Sequence, residues 1–182
     1  NVELPIQVTI ASGFPKGDKL EFITQKVTEL GARQIWAFPA DWSVAKWDGK
    51  KLGKKVEKLE KIALGAAEQS KRNLVPSIQL FEKKSDFLAQ LEQFDRIVVA
   101  YEESAKEGET AALIQSLTGL EAGNQLLLIF GPEGGLSPSE IGSFEAKGAV
   151  LAGLGPRILR AETAPLYALS AVSVVTELMK NA

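Results

Sequence analysis

The chain has 182 residues, 45% hydrophobic and 24% charged, which is one domain's length with a full core's worth of apolar side chains. It contains neither cysteine nor histidine, and its net charge is −2. Disulfides, thiolate zinc and redox sites, Ser-His-Asp and Cys-His catalysis and His-containing metal sites are thereby excluded.

Any chemistry must run on carboxylates, Arg, Lys, Tyr, hydroxyls, backbone groups or a bound cofactor, and no metal is expected. No apolar run approaches the ~18 residues that span a bilayer. No signal peptide is visible, so the expected compartment is the cytoplasm.

Strand and helix patterns alternate along the chain. Residues 6–11 form a β-rich run. Asp18 can cap a helix in which Leu20, Ile23, Val27 and Leu30 follow a 3.6-residue period, and Gly31 ends it. Residues 34–38 read as the second strand, and 42–47 as a short strand or a loop. The spacing predicts a long helix over 50–71, with Leu52, Val56, Leu59, Ala63 and Ala66 on one face and Lys50, Lys54, Lys58 and Lys61 opposite. From Lys46 to Arg72 there are nine basic residues against four acidic ones. That lysine face is either a solvated helix surface or a row of RNA-phosphate contacts.

Further along, 77–81 reads as a strand, 85–94 as a helix, 96–101 as a strand and 110–117 as a short helix. Residues 104–108 and 119–123 read as loops. Residues 125–130, continuously apolar from Leu126 onward, are as expected of a strand buried on both faces of a parallel sheet. Ser137-Pro138-Ser139-Glu140 has the form of a capping box with proline at the first helical position, and Gly148 closes that helix. Residues 149–153 form the last strand. A final helix over 164–180 is apolar on nearly all sides from Leu166 to Met179, so it is buried in the core or against a partner subunit. The alternation predicts an α/β fold, a mostly parallel sheet flanked by helices on both faces.

Two loops near the C-terminus hold the candidate ligand site, because ligands of open α/β sheets bind beyond the carboxyl ends of the strands. The first is Gly131-Pro132-Glu133-Gly134-Gly135, leaving a strand that ends Leu128-Ile129-Phe130. Its glycines permit positive φ and close backbone approach. The second runs Leu154-Gly155-Pro156-Arg157-Ile158-Leu159-Arg160-Ala161-Glu162-Thr163-Ala164, longer than most βα connections. Neither matches a phosphate-binding glycine motif. Each alone could be a plain turn. Together they suggest a nucleoside-type ligand read by backbone groups between apolar walls. A third set, Glu68-Gln69-Ser70-Lys71-Arg72 before Pro76, ends the long helix. It either complements the helix dipole or holds a polar base and its phosphate.

These segments, with Lys16-Gly17-Asp18-Lys19 and 25–31, occur in an order that resembles the ribosomal RNA small subunit methyltransferase E family of the SPOUT methyltransferases. The resemblance implies a deep C-terminal trefoil knot, a feature sequence physics alone does not predict. It also implies a homodimer, S-adenosyl-L-methionine as cofactor, and methylation of a uridine N3 in 16S ribosomal RNA of the small subunit. The implied cofactor contacts are Leu128, Ile129, Phe130, Gly131, Pro132, Glu133, Gly134, Leu154, Gly155, Ile158, Leu159, Arg160, Thr163 and Ala164. Family members usually carry an N-terminal β-barrel of the PUA type. The expectation here is the methyltransferase domain alone, over 1–182.

N3 of uridine is protonated and needs deprotonation before it attacks a methyl group. Glu68 or Glu133 are candidates to assist, and Arg72 or Arg160 to stabilise the anion developing on the base. Gln69, Ser70, Arg72, Arg157, Lys50, Lys54 and Lys58 are candidates for RNA contacts. Two rivals stay open: a SPOUT enzyme acting on another target, such as a transfer-RNA ribose 2′-hydroxyl, and a non-catalytic RNA-binding or ribosome-assembly module.

Overall fold

A computed structural model describes residues 1–106 and 111–179. The expected helix start at Thr110, the end of the 104–108 loop and the helix end at Lys180 lie outside the described residues. In chain order the elements are β1 (Gln7–Gly13), α1 (Lys19–Glu29), β2 (Gln34–Phe38), α2 (Gly49–Gln69), β3 (Ser77–Leu80), α3 (Lys84–Leu88), β4 (Arg96–Ala100), α4 (Glu102–Lys106), α5 (Ala112–Leu117), β5 (Gln125–Phe130), α6 (Pro138–Ala146), β6 (Val150–Ala152) and α7 (Thr163–Ser173). The strands form one six-stranded sheet, ordered β3-β2-β1-β5-β4-β6, and every pairing is parallel.

The apolar 126–130 run sits where its composition requires, between β1 and β4 with both faces covered. Leu126, Leu128 and Phe130 face one core, with Ile10, Ile35 and Leu169. Leu127 and Ile129 face the other, with Trp36, Phe38, Phe87 and Phe144. Because all strands run the same way, every strand-to-helix loop lies along one edge of the sheet. The chain from β1 passes outward to β2 and β3. The later strands fill the other side, so the order switches between β1 and β5, where ligands of such sheets bind.

The 42–47 segment is a loop, one of the two readings its sequence allowed. Three other elements differ in detail. Residues 104–106, expected in a loop, belong to α4. The predicted 85–94 helix breaks into α3 and a 3₁₀ turn at Leu91–Gln93, which lets Phe87, Leu91 and Phe94 all turn into the core around Trp36. The last helix continues from α7 into a π-helical turn at Val174–Leu178.

The 68–72 segment closes α2 by hydrogen bonding within the chain. Lys71 sits at φ 65, and its N–H donates to the Glu68 carbonyl while the Arg72 N–H donates to the Ala67 carbonyl. This pair of bonds is the Schellman arrangement, in which the residue just past the helix takes the left-handed conformation. A side chain is disfavoured at that φ. Lys71→Gly is therefore expected to raise stability by about 0.5–1 kcal/mol, read as a higher denaturation midpoint in urea. An unchanged or lower midpoint counts against the argument.

The turn drives Arg72 inward. Its residue is 7% exposed, Nε and Nη2 donate to the two Glu3 carboxylate oxygens at 3.0 and 2.6 Å, and Nη1 donates to the carbonyls of Thr28 and Ala32 at 2.8 and 3.0 Å. Arg72 thus adds a side-chain donor to carbonyls in the last turn of α1 and just beyond its end.

Candidate functional site

A hollow of about 770 Å³ opens at the carboxyl edge of the sheet, within the size range of small-molecule sites. Both C-terminal loops line it: Phe130 through Leu136 on one side, and Leu154, Gly155, Arg157, Ile158, Leu159, Arg160, Ala161 and Ala164 on the other. The structure therefore brings together most of the residues expected at a nucleoside site. Leu128 and Ile129 do not line it; they point from the middle of β5 into the two cores and are fully buried. Thr163 opens α7, its N–H donating to the Arg160 carbonyl, and is also absent from the lining.

Glu68, Gln69, Ser70 and Arg72 are not in this hollow. They end a 21-residue helix that starts near the carboxyl edge, and at ~1.5 Å per residue that places them about 30 Å away, at the amino edge. Arg72 is committed to Glu3 and α1, and the Ser70 hydroxyl donates to the Ala66 carbonyl. Glu68, Gln69, Ser70 and Arg72 therefore do not line the hollow of their own chain. Lys50, Lys54 and Lys58 are exposed on α2, with Lys58 4.0 Å from Glu21.

The sharp geometry of the 131–135 loop comes from close approach more than from unusual dihedrals. Of its glycines only Gly135 has a positive φ, at 82. A Cβ on Gly131 would lie 3.0 Å from the Gly135 carbonyl carbon and 3.1 Å from the Leu136 nitrogen. Gly13, at the end of β1, is tighter still: a Cβ there would lie 2.7 Å from Pro132 Cδ and 2.9 Å from Ala40 Cβ.

Two polar systems hold the loops. Glu133 accepts from the Lys16 N–H and from Lys19 Nζ, the latter at 2.9 Å, tying the 131–135 loop to the entry of α1. Partial burial pushes the Glu133 carboxyl upward, but the Lys19 hydrogen bond and backbone N–H groups outweigh this and hold it below its ordinary value of 4.5. Glu133 is thus a tethered carboxylate and a weak proton acceptor.

The second system centres on Glu140, 1% exposed. The expected capping box is present: Ser137 Oγ accepts from the Glu140 N–H and Glu140 Oε1 from the Ser137 N–H. Oε2 accepts from the Asp41 N–H and from Lys84 Nζ, while Asp41 accepts from Lys84 and from the Ser137 hydroxyl. The Lys84 hydrogen bond, then that of Ser137, holds the Asp41 carboxyl below its ordinary 3.8.

Both carboxyls are depressed in the folded chain. The stability they confer is present above their unfolded values and is lost as pH falls through the folded ones. The melting temperature is expected to drop as pH falls below about 4, and less steeply in an E133Q/D41N double variant. Parallel curves for the two proteins would overturn this.

The hollow also includes Lys19, Trp42, Tyr101, Glu102, Glu103 and Pro138, none of which the sequence reading selected. The signal that could have found Trp42 and 101–103 is positional: each follows a strand of a parallel sheet, so each loop reaches the same edge.

A family model described as RNA methyltransferase domain matches residues 2–173. Ribosomal RNA small subunit methyltransferase E of Bacillus subtilis is 54% identical over 181 residues, covering 100% of this chain and 71% of the relative. A methyltransferase from Legionella pneumophila, solved with bound S-adenosylmethionine, superposes with a TM-score of 0.81 at 30% identity, covering 96% of this chain and 68% of that one. Ribosomal RNA small subunit methyltransferase E from Neisseria gonorrhoeae, also solved with S-adenosyl methionine, superposes with a TM-score of 0.78 at 26% identity, covering 95% and 68%.

Proposed function

The chain belongs to the family of RNA methyltransferase domains, and from that premise we propose that it transfers a methyl group from S-adenosylmethionine to N3 of a uridine in 16S ribosomal RNA, acting as a homodimer where ribosomes are assembled. The observation that carries this reading is the single hollow shared by the two C-terminal loops.

The hollow suits an adenosine by its donor set. Main-chain groups of a glycine-rich loop are exposed between apolar side chains, Leu136, Leu154, Ile158 and Leu159. Residues 130–134 and 154–160 would hold the cofactor largely through backbone atoms. When bound, the cofactor supplies an electrophilic methyl on a sulfonium. The protein's part is to position the base, exclude water and favour its anionic form. Arg160 lines the hollow and would stabilise negative charge spreading onto the uracil oxygens. Arg157, at the rim, would hold an RNA phosphate, and the exposed lysines of α2 would extend that track.

The expected C-terminal knot is part of this proposal. β6 lies at the outer edge of the sheet, yet α7 returns to pack on central β5 and on α1. The 153–162 segment must double back past the β5 loop, the course a trefoil crossing would take. The homodimer is supported by apolar side chains left exposed on the last helical segment, Tyr167, Val174, Leu178 and Met179. Light scattering at twice the chain mass is expected; a monomer at micromolar concentration would remove the dimer from the proposal.

Isothermal titration is expected to show S-adenosylmethionine binding, and mass spectrometry of digested 16S ribosomal RNA a methyl on the uracil ring. A methyl on the ribose rejects the N3 assignment. Absence of cofactor binding with RNA binding intact rejects the enzyme in favour of a binding module. RNA affinity should fall with salt at a log–log slope of about −0.7 for each phosphate contact, and charge-neutralising replacement of Lys50 and Lys54 by Gln should flatten it.

A further inference from the structure

Of the three tryptophans in the chain, two are engaged in packing. Trp36 is in the core, edge-on to Phe81, Phe87 and Phe94. Trp47 packs on Phe14 with Lys55 Nζ 4.1 Å from its ring centroid. Trp42 is different. It is 51% exposed, and it lines the hollow.

Its position is held firmly. Trp42 follows Asp41, whose backbone and side chain are fixed by Glu140, Lys84 and Ser137. The next residue, Ser43, donates its N–H to the Ala40 carbonyl. The Trp42 backbone also presses on the glycine-rich loop: a Cβ on Gly134 would lie 3.1 Å from the Trp42 carbonyl oxygen and 3.2 Å from its Cβ. A large aromatic side chain is thus presented to solvent from a rigid turn.

It is also on a particular side. Trp42 comes from the β2–α2 loop, whereas the 154–160 loop comes from β6, and β1, β5 and β4 separate those two strands. The proposed adenosine site lies between the β5 and β6 loops. Trp42 flanks the β5 loop from the opposite direction, where a second planar group could enter.

We propose that Trp42 is the stacking platform for the target uracil, a positioning and binding residue for the RNA base. The proposal rests on the functional reading given above. A uridine must leave its stack for N3 to be reached, and an aromatic face replaces the stacking it loses. Stacking holds the base by its face. It leaves the edge bearing N3 unobstructed toward the methyl donor, which hydrogen bonds to that edge would not.

The test compares the full protein with its Trp42→Ala and Trp42→Phe variants. Three quantities are read: the S-adenosylmethionine Kd by calorimetry, the Kd for 16S ribosomal RNA with S-adenosylhomocysteine bound, and kcat/KM for methyl transfer. Trp42→Ala is expected to keep cofactor affinity within about twofold while losing roughly tenfold or more in RNA affinity and kcat/KM. Trp42→Phe should recover most of the loss. RNA affinity and kcat/KM within twofold of wild type in Trp42→Ala overturn the proposal. So does an equal loss of cofactor affinity, which would place Trp42 on the methyl donor instead. A wild-type protein that binds no S-adenosylmethionine and methylates no RNA defeats the functional reading itself, before any variant is compared.

Discussion

Replacing Glu140 by alanine is expected to destabilise the fold by about 3 kcal/mol, from the lost acceptors of the Ser137 and Asp41 N–H groups, while the Ser137 hydroxyl still caps α6. The side chain is fully enclosed and accepts from the Ser137 N–H on one oxygen and from the Asp41 N–H and Lys84 on the other. Alanine removes all three acceptor contacts, and the Ser137 N–H is left buried. Lys84 keeps Asp41 as a partner, so no cation is stranded, and the loss falls mainly on the two backbone N–H groups. At ~2–4 °C per kcal/mol for a chain of this size, the melting temperature should fall by roughly 10 °C. Glu140→Gln keeps the volume and one acceptor and should lose about half as much. A drop below about 1 kcal/mol for the alanine variant would show that the network is dispensable. The same change removes the Glu140 bridge between the Asp41 and Ser137 N–H groups and leaves the Ser137 hydroxyl on Asp41 as their remaining link, so the Trp42 turn and the start of α6 should loosen together in hydrogen exchange.

Gly13→Ala should damage the site from beneath. The added methyl would stand 2.7 Å from Pro132 Cδ and 2.9 Å from Ala40 Cβ. Neither atom can swing away, since a proline ring and an alanine methyl move only with their backbones. Overpacking of this kind costs about 1–3 kcal/mol. The larger effect is displacement of the 131–135 loop, because a shift of ~1 Å at a reacting site costs on the order of 100-fold in rate. Methyl transfer should fall by that order, with S-adenosylmethionine affinity falling alongside. Gly53→Ala is the control: it lies in α2 with nothing within 4 Å of the added Cβ, and should stabilise by about 0.5–1 kcal/mol with activity unchanged. Wild-type activity in the Gly13 variant would mean the loop tolerates displacement.

Much of the architecture was legible along the chain because it depends on local patterns. Uninterrupted apolar residues at 126–130 required a strand covered on both faces, and it lies between β1 and β4. Ser137 and Glu140 stood at capping-box spacing, and the box forms. The two C-terminal loops could be selected because each leaves a strand at the edge where parallel sheets bind ligands, and they line one hollow.

Residues whose role depends on partners distant in sequence could not be read this way. Arg72 looked like a ligand for a base, yet the turn at Lys71 aims it at Glu3 and at the carbonyls of Ala32 and Thr28, 40 and 44 positions earlier in the chain. Glu133 looked like a candidate base, but Lys19, 114 positions away, holds it as a carboxylate. Trp42 lay in a segment with no periodicity, and only the packing of its turn against Gly134 gives it an address. The sequence by itself determined the periods, caps and apolar runs that make an α/β parallel sheet, since these are set by neighbours within a turn or two of the chain. The tertiary structure alone decided which charges are tethered and which side chains reach the hollow, because those outcomes depend on contacts that form only when separate loops meet at one edge.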